Sequence, residues 1–116
     1  MIEDSWKAFD EIKEKYNLVK RETTTFLGAE LETWTFSDAL NAMGSVIWYR
    51  LGLHFAEKCF YDTIDDCIKF IGVIPIEPSN FDNKIKSLRE MFDKANLRMK
   101  QYRMKKRIEE IKGDFV

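Results

Sequence analysis

Between Lys94 and Arg107 stand seven basic residues (Lys94, Arg98, Lys100, Arg103, Lys105, Lys106, Arg107) and no acidic one, the densest single-sign run in the chain. Lys and Arg at this density neutralise phosphates or acidic side chains, and Tyr102 inside the run offers a ring for base stacking. Projected on a helix, the seven charges scatter around most of the circumference, so an acidic protein partner accounts for them as well as a nucleic acid does. A second set, Arg50, His54, Glu57 and Tyr61, recurs at spacings of four, three and four and reads as one polar stripe along a helix, either a site or that helix's solvated or internally paired edge. His54, Cys59 and Cys67 do not read as a metal centre. On one helix Cys59 points about 140° away from His54, and no zinc-site spacing is present. The same helix puts the two cysteines about 12 Å apart along its axis, too far for a disulfide, so both thiols are expected to be free.

Carboxylates supply the alternative chemistry. Asp62, Asp65 and Asp66 fall on one face of the expected second helix, and Glu90 and Asp93 (Glu-Met-Phe-Asp) sit one turn apart on the last. Two antiparallel helices presenting such groups can hold Mg²⁺ and a diphosphate. The pattern resembles that of the all-α nucleotide pyrophosphohydrolases, which carry an ExxE motif and then an ExxD motif on successive helices. Glu90 and Asp93 match the second motif, while the first has Asp where that family has Glu. The resemblance implies a Mg²⁺-dependent enzyme using Asp62, Asp65, Asp66, Glu90 and Asp93. The glycines (Gly28, Gly44, Gly52, Gly72, Gly113) are scattered singly, with no GxGxxG and no P-loop, which excludes a nucleotide cradle of that kind.

The elements that would position these groups follow from periodicity. Trp6, Phe9, Ile12 and Tyr16 mark an amphipathic helix over residues 5–16, capped by Asp4 or Ser5. Residues 18–36, rich in Thr, Val and aromatics, read as a hairpin turning at Gly28-Ala29-Glu30, with a short helix through Ala29-Glu30-Leu31-Glu32 as the competing reading. Ser37 and Asp38 then cap a long central helix that runs to about Phe70 or Ile71, apolar almost all round over Ala39–Leu53. Val73 to Pro78 is an extended connector. Ser79 with Asp82 opens a final helix from about Asn80 to Lys112, which Gly113 ends. The fold class that results is mainly α: a small helical bundle with a long C-terminal helix and a short β-hairpin between its first and second helices.

At 116 residues, 45% apolar and 34% charged, the chain reads as one helical domain over residues 1–116, neither disordered nor membrane-embedded. The N-terminus has no basic n-region and apolar h-region, so the expected compartment is the cytoplasm. The charge is polarised. Residues 1–80 carry 8 Lys and Arg against 14 Asp and Glu, a net of −6, whereas residues 81–116 carry 11 against 6, a net of +5. On the last helix Ile85, Leu88, Phe92, Ala95, Met99 and Tyr102 form a seam for the chain's own core, and Leu97, Met104, Ile108 and Ile111 gather within about 60° on the opposite face. That second stripe reads as a homodimer interface, meeting its symmetry mate or the body of the other subunit. The function expected is a non-catalytic, dimeric interaction module without cofactor. It would bind a protein partner or nucleic acid through Lys94, Arg98, Lys100, Tyr102, Arg103, Lys106 and Arg107; the Mg²⁺-dependent enzyme is the alternative.

Overall fold

The computed structural model describes residues 2–26, 28–49 and 52–114. It is a mixed α+β fold with two helices and seven strands among those residues, so the mainly α bundle is overturned. Helix α1 (Ile2–Lys15) leads into β1 (Leu18–Phe26) and β2 (Ala29–Phe36), which pair antiparallel from Leu18↔Phe36 to Phe26↔Ala29. The first helix and the hairpin therefore form, with two small shifts. The helix starts at Ile2, which puts Asp4 and Ser5 inside it and not at its cap, and Ala29 and Glu30 belong to β2 and not to the turn.

The central helix does not exist. Residues 37–46 form a turn-rich loop, followed by β3 (Ile47–Tyr49), β4 (Leu53–Phe55), β5 (Lys58–Asp62) and β6 (Cys67–Ile71). The apolar run is buried because it crosses the middle of the molecule as loop and strand: Ala39, Ala42, Val46, Ile47 and Phe55 are all core residues. At Gly44 the backbone has a φ of +81°, in the left-handed region that glycine adopts without a steric cost and that no α-helix contains. The polar stripe dissolves with that helix. His54 lies half-buried on β4, Glu57 follows it in a link, Tyr61 points into the core from β5, and Arg50 falls outside the described residues.

β1, β2, β3, β4 and β7 (Ile74–Pro75) form one antiparallel sheet in that order, and β5 with β6 makes a separate hairpin. The hairpin is stitched to the loop before β3. The Met43 N–H donates to the Ile68 carbonyl at 2.8 Å, the Phe70 N–H donates to the Met43 carbonyl at 2.8 Å, and the Arg21 guanidinium holds the next carbonyl, that of Gly44. The two cysteines sit on this hairpin, opposite Phe70 (Cys59) and Asp62 (Cys67) in the register. Cys59 and Asp62, the residue opposite Cys67, are three positions apart on β5, an odd offset, so the thiols leave opposite faces of the hairpin. Both are free, as expected, but for this reason and not because of a helix; burial pushes the Cys59 thiol up to about 12.

The connector from Val73 is extended as far as Glu77, one residue short of the expected span, because Pro78 already opens a 3₁₀ turn (Pro78–Asn80) that leads into α2 (Phe81–Asp114), which runs through Gly113. Asp82 in its first turn accepts hydrogen bonds from Lys15 Nζ at 2.7 Å and the Tyr16 hydroxyl at 3.1 Å, joining the two helices. The core lies where α1, the sheet, the β5–β6 hairpin and the first half of α2 meet. Phe9 stands edge-on to Trp34, Phe55 packs on Phe81, and Phe92 stacks on Phe70 with centroids 6.0 Å apart. Arg89 caps this cluster. It lies over the rings of Phe36 and Phe92 and makes a fork-like pair of bonds, each 2.7 Å, to Asp38, the residue expected to start a helix. Among the described residues no helix is long and apolar enough to cross a membrane.

Candidate interaction surface on the C-terminal helix

Helix α2 has 34 residues and is about 51 Å long, which explains why the molecule extends 65 × 30 × 20 Å. Its first half belongs to the core: Ile85, Leu88, Phe92 and Ala95 are buried and Met99 is half-buried, as the seam predicts, whereas Tyr102, the last residue of that seam, is exposed. From Lys100 to Gly113 every residue is exposed, so the outer half leaves the body as a single projecting helix.

A clasp marks the point of departure. The Tyr102 ring rests on that of Tyr61, centroids 5.9 Å apart, and Arg103 Nε donates to Asp66 at 2.9 Å. The Tyr61 hydroxyl donates to the same carboxylate. This bond, and then the one from Arg103, hold the Asp66 carboxyl below its ordinary range, while burial and the bond to Asp66 push the Tyr61 phenol up to about 12. Two of the seven expected partner-binding residues, Tyr102 and Arg103, are thus engaged within the chain. Among the described residues Lys94, Arg98, Lys100, Lys106 and Arg107, together with Lys105, are exposed and make no ion pair.

The second apolar stripe is open to solvent. Leu97 is 57% exposed, Met104 65%, Ile108 48% and Ile111 49%. Ile64, Met43, Val73 and Leu40 elsewhere are exposed to a similar or greater degree, so what sets Leu97, Met104, Ile108 and Ile111 apart is their alignment along one helix face.

The carboxylates expected to hold Mg²⁺ are not brought together. Asp62 ends β5, Asp65 and Asp66 lie in the turn that leads to β6, and each of the three has a partner within the chain. Asp62 accepts the Ile64 N–H at 2.9 Å and pairs with Lys69 at 2.8 Å, Asp65 also pairs with Lys69, and Asp66 takes Arg103. The pairing with Lys69 holds the Asp62 carboxyl below its ordinary range. Glu90 and Asp93 lie 13 and 10 residues before Arg103, about 20 and 15 Å along the helix from the Asp66 contact, and Asp93 pairs with Arg89. Among the described residues no group of three or more His, Cys, Asp or Glu side chains is placed to hold a metal ion. The all-α architecture implied by the pyrophosphohydrolase resemblance is likewise absent.

Sequence reasoning missed the two arginine contacts that position α2. Arg89 to Asp38 spans 51 residues and Arg103 to Asp66 spans 37, and no local pattern signals either. No protein-family model, curated protein or solved structure matches this chain.

Proposed function

We propose that the protein is a non-catalytic interaction module whose contact element is the outer half of α2, and that this element takes a protein partner. The observation that carries the reading is the run of exposed residues from Lys100 to Gly113, which holds Met104, Ile108 and Ile111 away from the core. Full burial of a side chain of this class is worth about 1.5–3 kcal/mol, so an interface that covers the stripe has a substantial apolar gain available. The preformed helix lowers the ordering cost that a disordered arm would pay on binding.

Nucleic acid is the second reading, favoured by the six unpaired cations named above. It predicts a mobility shift with DNA or RNA at low salt that fades steeply as salt rises.

Photocrosslinking tests the first reading. With p-benzoylphenylalanine in place of Met104, and separately in place of Thr23 on the exposed side of β1, the full chain is irradiated in its native cells. A discrete protein adduct from position 104 and none from position 23 is expected. No adduct from position 104, or the same adducts from both positions, contradicts it.

A further inference from the structure

Beyond the body of the molecule, α2 carries a heptad repeat that runs on the face opposite the core seam. From Leu97 the spacing is four, three, four, three: Leu97, Gln101, Met104, Ile108 and Ile111. In heptad terms Leu97, Met104 and Ile111 take d positions, and Gln101 and Ile108 take a positions. The flanks are then fixed by arithmetic. Positions e are Arg98, Lys105 and Lys112, and positions g are Lys100 and Arg107. Every e and g residue along this seam is basic and exposed, and none makes an ion pair among the described residues.

We infer that this seam docks an amphipathic helix of another protein whose own e and g positions are acidic, and that it rejects a second copy of itself. The inference rests on the reading of α2 as contact element and names the class of partner. In a parallel pair of helices g faces e of the partner, and in an antiparallel pair g faces g and e faces e. Either way two copies of this seam would bring Lys and Arg against Lys and Arg, whereas acidic flanks convert each repulsion into an attraction. This argues against the homodimer in which the stripe meets its symmetry mate. The width of the stripe argues for a helix over a lipid surface. An interfacial helix presents an apolar face of roughly 100° or more, while Leu97, Met104, Ile108 and Ile111 span about 60° with a polar Gln101 beside them. Gln101, at an a position, would restrict the register of the pair, the use best attested for a single polar residue in such a seam.

Two synthetic peptides test this, each with Leu and Ile at a and d over three heptads, one with Glu at every e and g and the other with Lys. Titrated into the full chain and followed by the anisotropy of a dye on the peptide, the Glu peptide is expected to bind at least about tenfold more tightly than the Lys peptide, with affinity falling as salt rises. Ile108→Asp with Ile111→Asp should abolish binding of the Glu peptide while circular dichroism retains the helix. A second variant with Arg98, Lys100, Lys105, Arg107 and Lys112 all changed to Glu should reverse the preference. Equal binding of both peptides, binding of neither, a stripe-dependent dimer in light scattering, or binding to anionic vesicles in place of the Glu peptide would each overturn the inference. If the peptides fail and the Met104 adduct persists, the partner class alone falls; if the adduct is also missing, the contact element falls with it.

Discussion

Gly44→Ala is expected to cost about 3 kcal/mol of folding stability, enough to lower the melting temperature by on the order of 10 °C. Two effects add. The residue has a φ of +81°, a conformation that costs an L side chain about 1–2 kcal/mol. The new methyl group would also press against the Phe70 carbonyl, backbone that cannot swing aside as a flexible side chain would. Relief requires the loop to move from β6, which weakens the paired Met43–Ile68 and Phe70–Met43 hydrogen bonds, each worth about 1 kcal/mol. Gly28→Ala is the control: its φ is +79°, but nothing lies within 4 Å of the added carbon, so only the conformational cost of about 1 kcal/mol applies. Urea denaturation measures both. Equal losses at the two glycines would show that the loop is not stitched to the hairpin at Gly44.

The second large effect separates the two halves of α2. Phe92→Ala should destabilise by about 3–5 kcal/mol, because the residue is 3% exposed and its ring stacks on Phe70 and packs tilted against Phe36 under the Arg89 guanidinium. Ile111→Ala, on the same helix, should change stability by less than about 0.5 kcal/mol, since the side chain it truncates is half exposed and lies outside the core. A loss above about 1.5 kcal/mol at Ile111 in a monomer would mean that the end of the helix folds back on the body.

Much of this architecture is legible without coordinates where local signals are strong. The stripe of Phe9, Ile12 and Tyr16, the Thr-rich hairpin strands, the prolines at 75 and 78 and the long seam of α2 each declare their element through a period or a breaker. The middle of the chain fails because an apolar run with no clear period fits a buried helix and a buried strand equally well. The period-two signal was present further on: in Lys58-Cys59-Phe60-Tyr61-Asp62 and Cys67-Ile68-Lys69-Phe70-Ile71 the alternate residues Cys59, Tyr61, Ile68 and Phe70 are buried. The turn between them was signalled too. Asp62 accepts the N–H two residues on, and Asp66 adopts a φ of +50°, both habits of aspartate in turns. Reading the apolar run as one helix gives the mainly α fold, and extending that helix through Asp62, Asp65 and Asp66 gives them a shared face and hence the metal hypothesis. The placement of the basic run and the second stripe on a helix does not depend on that reading, because both lie on α2, the element whose sequence pattern is least ambiguous. Their grouping into a heptad with uniformly basic flanks becomes visible only once the core face of the helix is fixed.

Hydrogen exchange along α2 tests most directly the claim that one continuous helix is core at one end and an uncovered contact element at the other. In the full chain, at a concentration where light scattering reports a monomer, amides around Ile85 to Ala95 should exchange only through global unfolding. Those from Met104 to Lys112 should exchange orders of magnitude faster, with the step falling near the Tyr102–Arg103 clasp. Uniform slow exchange through Lys112 in the monomer would contradict the account, because it would require the stripe to be covered by the chain itself.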